Sequence, residues 1–126
     1  YNWYAVNDSR ALCPTGWHVP SDAEWTTLEN ILGGSSVAGG KMKATTGWTS
    51  PNTGASNESG FTGLPGGYRA SNGPYYDVGI YGYWWSSTEG DSDAAWYRGL
   101  FYLYSKVDRN YLANKHYGFS VRCVRD

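Results

Sequence analysis

The sequence predicts an α+β fold on three observations. A capped segment in the first third reads as a helix, the last third alternates with period two, and turn-forming residues fill the stretch between. Gly is the most frequent residue, at seventeen of 126, so loops should occupy much of the chain.

The helix is the best signposted element. Pro20 precedes Ser21-Asp22-Ala23-Glu24, in which Ser21 can cap the first turn and Glu24 can reach back, while Gly33-Gly34 supplies the stop. Between them Trp25, Leu28 and Leu32 fall at helical spacing and should lay one stripe on the core. Val37 to Met42 reads as a shorter second helix interrupted by Gly39 and Gly40. From Thr45 to Gly60 nearly every residue is a turn former, which predicts a long loop anchored by Trp48.

Strands follow. Phe61 to Arg69 reads as a short strand broken at Pro65-Gly66-Gly67, and Tyr83 to Ser87 as another. Trp96, Arg98, Leu100 and Tyr102 alternate with Tyr97, Gly99, Phe101 and Leu103, and Val107 and Arg109 alternate with Asp108 and Asn110. The even set, with Trp96 and Leu100, makes the better inner face, which leaves Tyr97, Phe101 and Leu103 pointing outward. Phe119, Val121 and Cys123 alternate with Ser120, Arg122 and Val124 in a terminal strand.

A chain of this length suits one domain. It opens on Tyr1 rather than Met, as a processed chain or a domain of a larger protein would. Ten basic and eleven acidic residues give a net charge of -1 with no basic block, which argues against a nucleic-acid partner. The apolar runs fall far short of the ~20 residues of a membrane helix, so direct membrane insertion is not expected. Cys13 and Cys123 stand near opposite ends of the chain, too far apart for a redox or zinc motif. They read either as a disulfide, which would place the protein outside the cytoplasm, or as two reduced buried thiols.

Eleven of the twenty-two aromatic residues lie between Tyr75 and Tyr104, among Gly, Ser and Asp. Rigid aromatics mixed with short polar side chains suit a recognition surface, because they offer contact area at low entropy cost. The competing use is core filling in a domain poor in aliphatic residues. Chemistry finds little support. Gly34-Ser35-Ser36-Val37-Ala38 only approximates the G-x-S-x-G pattern and follows a helix instead of a strand. His18 and His116 show no metal-ligand spacing; His18 reads as a hydrogen-bonded structural residue and His116 as exposed. Glu89, Asp91 and Asp93 offer oxygens at alternate positions, as calcium requires, but an EF-hand would need Gly where Ala94 stands and Glu where Leu100 stands. No cofactor is expected, with calcium at that loop the one alternative to a solvated acidic turn.

The blocks Tyr1-Asn2-Trp3-Tyr4-Ala5-Val6, Leu12-Cys13-Pro14-Thr15-Gly16-Trp17-His18-Val19-Pro20, Leu64-Pro65-Gly66-Gly67-Tyr68-Arg69, Tyr83-Trp84-Trp85-Ser86-Ser87-Thr88-Glu89 and Gly118-Phe119-Ser120-Val121-Arg122-Cys123-Val124-Arg125-Asp126 resemble the Fibrobacter succinogenes major paralogous domain. The resemblance runs the length of the chain. It implies a C-type lectin-like fold, with a twisted antiparallel sheet, two helices and long loops, in one domain of a secreted or surface-anchored bacterial protein. It also implies kinship with the variable proteins diversified by retroelements and with the formylglycine-generating enzymes. The enzymes need two neighbouring active-site cysteines, which this chain lacks, so no catalytic residue is expected.

In the retroelement-diversified relatives, scaffold residues stay put while intervening ones change and form an exposed ligand-binding face. Here the resemblance casts Trp84, Trp85, Ser86, Ser87, Trp96, Arg98, Leu100, Val107, Arg109 and Lys115 as scaffold. The interleaved Asp91, Asp93, Tyr97, Phe101, Leu103, Tyr104, Asp108, Asn110, Leu112 and His116, joined by Tyr76, Asp77 and Tyr81, are the expected ligand-binding residues. The expected partner is a protein or a glycan on a cell surface. A purely structural surface module is the third reading.

Overall fold

Ser21 and Glu24 start the longest helix as the sequence predicts. The Ser21 hydroxyl accepts from the Glu24 backbone N–H at 3.3 Å and the Glu24 carboxylate accepts from the Ser21 N–H at 2.8 Å, closing a capping box. In a computed structural model that describes residues 1–126, this helix is α2. The elements run α1 (Trp3–Val6), β1 (Trp17–His18), α2 (Asp22–Ile31), α3 (Ser35–Met42), β2 (Tyr68–Arg69), β3 (Tyr75–Tyr76), β4 (Tyr81–Glu89), β5 (Ala94–Phe101), β6 (Val107–Asn114) and β7 (Val124–Arg125). The fold is α+β. None of its helices is long and apolar enough to cross a membrane.

The glycines that weaken α3 in isolation are the reason it fits. A Cβ on Gly39 would collide with the Ser105 and Lys106 carbonyls, and one on Gly40 with the Gly54 carbonyl. The Gly40 N–H instead donates to the Ser105 carbonyl at 2.9 Å, so two backbones touch where side chains would hold them apart.

Three antiparallel strands in the order β4-β5-β6 carry the architecture, and two-stranded ladders β1-β7 and β2-β3 flank them. Alternation sends Trp84, Leu100 and Val107 to one face, where they pack with Trp25 of α2 and Ala38 and Met42 of α3. The other face carries Trp85, Ala95 and Ala113 against Trp3, Val6, Cys13, Val19 and Phe119. Each strand thus feeds two cores. Burying one of the large side chains, such as Trp25 or Leu100, contributes roughly 1.5–3 kcal/mol.

Several expectations change. Phe61 to Gly67 is not a strand; only Tyr68–Arg69 pairs, because Gly63 and Gly67 make single bridges and the Pro65-Gly66-Gly67 turn interrupts any ladder. The terminal strand shrinks to Val124–Arg125, since Gly118 and Ser120 bridge different partners, although Phe119 is buried and Val121 and Cys123 are half-buried as alternation requires. Trp96 keeps the helix-side face but is only half-buried. Ala95 pairs with Ala113 and Tyr97 with Asn110, so Tyr111 and Leu112 together oppose Trp96 in a bulge. There Trp96 meets the Arg109 guanidinium at 4.0 Å and the Tyr111 ring at 5.0 Å instead of joining the core cluster. Tyr102 lies beyond the strand end.

Cys13 and Cys123 form a disulfide, which ties the loop before β1 to the C-terminal segment and fits an oxidising environment. His18 reinforces that junction: its Nδ1 meets the Asp126 carboxylate at 2.7 Å and its Nε2 meets Glu24 at 2.8 Å. The loop over residues 45–60 holds as expected, with the Trp48 indole N–H donating to the Gly63 carbonyl at 3.0 Å. Its second anchor is Lys43, fully buried, whose ammonium donates to the carbonyls of Thr53, Phe101 and Tyr104 at 2.8, 3.0 and 3.1 Å. Burial lowers this lysine's pKa to about 8.

Candidate functional site

The half of the sheet that α1 and Phe119 leave uncovered is an aromatic face. Strand pairing sets Tyr81 against Phe101, Tyr83 against Gly99 and Trp85 against Tyr97, so these residues share one side with Asp108 and Asn110 of β6. Phe101, Tyr81, Tyr83, Phe119 and Trp85 then form one continuous run of near-parallel rings. Successive centroids stand 4.2, 5.1, 5.0 and 4.3 Å apart, and no interplanar angle exceeds 26°. The Tyr104 ring closes the outer end, 5.0 Å from Phe101 and tilted by 58°.

In such a run the ring faces are taken up by neighbouring rings. What remains for a partner is ring edges and hydroxyls.

Two carboxylates border the run. Tyr83 donates its hydroxyl to Asp77 Oδ2 at 3.0 Å, and Tyr104 donates to Asp108 Oδ2. Burial, and then the neighbouring carboxylate, push both hydroxyls well above the ordinary tyrosine value, so both stay protonated donors at neutral pH. Asp77 sits in the left-handed region at φ 62°, where its carbonyl accepts from the N–H groups of Ile80 and Tyr81, both at 2.9 Å. Gly67 fixes this turn, because any Cβ at its own positive φ would strike the Tyr76 carbonyl.

Most of the expected ligand-binding residues do converge here. Tyr81, Phe101, Tyr104, Asp108 and Asn110 belong to the face or its edge, Tyr76 and Asp77 border it, and Leu103 lies exposed on the turn after β5. Leu112, 69 % exposed, stands over a cleft of about 210 Å³ whose other walls are Tyr68, Asp77, Tyr83, Tyr97, Ala113, Tyr117 and Phe119.

Tyr97 lies on the same face, half-buried, with its ring edge-on to Trp85 and Phe119 and exposed to the cleft on its other side.

Asp91, Asp93 and His116 belong elsewhere. Asp91 caps its own turn by accepting from the Asp93 and Ala94 N–H groups, both at 2.8 Å, while the Asp93 carbonyl accepts from the Lys115 N–H. The buried Lys115 ammonium donates to the Glu89 carboxylate and to the carbonyls of Asp91 and Ser92. Of the three carboxylates weighed as calcium ligands, that of Glu89 pairs with the lysine and that of Asp91 caps its own turn, and no three His, Cys, Asp or Glu side chains of the molecule form a cluster. His116 is exposed and lies 5.0 Å from the Tyr4 ring.

Sequence reasoning missed Tyr68, Tyr117 and Phe119 as walls of the cleft. Tyr68, in a two-residue strand, and Tyr117, in a bend, offer no periodicity to read, and alternation assigns Phe119 only to the core.

The scaffold and interleaved sets separate by burial. Trp84, Trp85, Ser86, Arg98, Leu100, Val107 and Lys115 are buried, whereas Ser87, Trp96 and Arg109 are not. None of the ten interleaved positions is buried.

Comparison with curated proteins and with solved structures returned no match. A family profile described as the Fibrobacter succinogenes major domain matches residues 1–125, and the chain belongs to that family.

Proposed function

We propose that this Fibrobacter succinogenes major domain is a non-catalytic recognition module of a bacterial extracellular or surface protein. It holds a protein target on the aromatic face of β4, β5 and β6, and its fold is C-type lectin-like. The observation that carries the reading is the five-ring run from Phe101 to Trp85, whose outer three rings, Phe101, Tyr81 and Tyr83, are half-exposed and bordered by Asp77 and Asp108 while Phe119 and Trp85 root it in the core. A face preassembled from stacked rings loses little side-chain entropy on binding, which is what interface anchors require.

Protein is favoured over sugar by the orientation of the rings. A pyranose stacks on an exposed ring face, and here the faces are turned to each other. Exposed Leu103, Leu112 and Tyr76 at the margin add apolar area of the kind a protein partner covers. The scaffold set, buried at seven of its ten positions, beside the wholly unburied interleaved set supports a face whose residues can change without disturbing the core, as retroelement diversification demands. The disulfide supports an extracellular or surface location.

The test is a screen of the purified domain against bacterial surface-protein and glycan arrays, with and without calcium, beside a Tyr81→Ala/Phe101→Ala double variant. A protein hit, unchanged by chelation and weakened about thirtyfold or more in the variant, is expected. Glycan hits alone would transfer the face to carbohydrate binding, and hits indifferent to the variant would remove the function from this face.

A further inference from the structure

The cleft beside Asp77 has the walls of a cation site, and none of its lining side chains is basic. Tyr68 and Tyr83 meet at 89°, Tyr68 and Tyr117 at 47°, and Tyr83 and Tyr97 at 67°, so these rings enclose a space instead of tiling a plane. The half-buried Asp77 carboxylate stands among them, bonded to Tyr83 through Oδ2 alone, and no lysine or arginine lines the cleft.

Elsewhere in the molecule the same chemistry is completed by the chain itself. Lys106 lies 3.1 Å from Asp108 and 4.7 Å from the Tyr104 ring centre. Lys115 pairs with Glu89 over the Trp3 ring, and Arg109 pairs with Asp22 over Trp96. In each, a cation fills the gap between a carboxylate and an aromatic ring, where ring quadrupole and ion pairing add. At Asp77 the carboxylate and the rings are present and the cation is not.

From this geometry we infer that the Tyr68–Asp77–Tyr83–Tyr117 cleft receives the ammonium group of a lysine side chain presented by the protein partner. The inference rests on the proposed recognition face and names the chemistry of one contact within it. Asp77 supplies the charge, Tyr68 and Tyr117 supply π surface, Tyr83, whose faces are stacked on Tyr81 and Phe119, supplies its hydroxyl oxygen, and Leu112 at the mouth covers the aliphatic stem. Burial, with the Asp77 charge second, raises the Tyr68 hydroxyl above its ordinary value, so this wall stays uncharged at neutral pH and the site's net charge is that of Asp77.

Titration of the domain with n-butylammonium, followed through the NMR ring signals of its tyrosines, tests the assignment. Saturable shifts centred on Tyr68, Tyr83 and Tyr117 are expected, with no comparable response to n-butanol. Asp77→Asn should weaken binding about tenfold or more. Asn tolerates the left-handed backbone and can still accept from Tyr83, so an unchanged thermal midpoint in this variant separates lost charge from lost fold. Absence of saturation, an equal response to butanol, indifference to Asp77→Asn, or binding of tetramethylammonium without butylammonium would each overturn the assignment. The two readings also fail separately. A partner held through Tyr81 and Phe101 by a domain that binds no butylammonium would sink the lysine site alone. Butylammonium binding that Asp77→Asn abolishes, on a domain whose hits ignore Tyr81 and Phe101, would uphold the site and sink the recognition face.

Discussion

The two faces of the β4-β5-β6 sheet are made by alternate residues of the same strands, yet they treat polar groups in opposite ways. On the helix side, Arg98 is fully buried and pairs with Glu29 and, at 2.6 Å, with Asp22, while Arg109 reaches Asp22 at 2.7 Å. Two cations and two carboxylates balance, and the remaining Arg98 N–H groups go to the Thr26 hydroxyl and the Asp22 carbonyl, both at 3.1 Å. On the aromatic side, Asp77 is bonded by a single hydroxyl and several rings stay half-exposed. A closed network makes structure and an open one leaves bonding capacity for a partner. The contrast shows that burial of a charge is not by itself a functional signal; an incomplete set of partners is.

The contrast is broken most severely at Glu29. Glu29→Gln leaves Arg98 buried with a diminished counter-charge and should cost about 3–5 kcal/mol, read as a lower urea midpoint. The aromatic face should answer differently to a comparable injury. Phe101→Ala removes a half-buried ring stacked on Tyr81 and should cost only about 1 kcal/mol of stability, while weakening a partner's binding. Equal losses of stability from the two substitutions would erase the distinction between the faces.

The smallest effect sharpens the boundary of the closed region. His18 is bridged first by Asp126 and then by Glu24, and both raise its pKa above the ordinary 6.5. The folded state therefore binds the imidazole proton more tightly than the unfolded chain does. The stabilisation is full below pH 6.5 and is lost as pH rises through the higher folded value. Thermal midpoints across this range should fall with pH in the wild type more steeply than in His18→Gln, and parallel curves would refute the coupling.

Much of the closed region was legible. Ser21, Glu24 and the Gly33-Gly34 stop define α2, and Arg98 and Leu100 fall on the inner face that alternation assigns them. Glu29 escaped notice although it lies four residues after Trp25 and three before Leu32, squarely on the apolar stripe. A lone charge at a buried helical position is the signal to seek its opposite charge on a facing strand. Lys43 and Lys115 carried no such mark. Their partners are mostly backbone carbonyls, and those come together only when distant loops meet.

The open region was legible in kind and not in detail. Composition marked Tyr75 to Tyr104 as aromatic, and period two separated Phe101 from Leu100. Which outward residues stay free depends on what covers them, and Phe119, from the far end of the chain, packs against Tyr97 and Trp85.

The sequence by itself determined the α+β class, the capped helix, the strand faces and the family, because propensity and periodicity are local properties that neighbouring residues express together. Tertiary structure alone decided that the cysteines join, that a bulge leaves Trp96 half-exposed, that lysines fill the loop oxygens, and that four tyrosines close around Asp77. Each depends on contacts between segments far apart in the chain, whose distances no local pattern encodes.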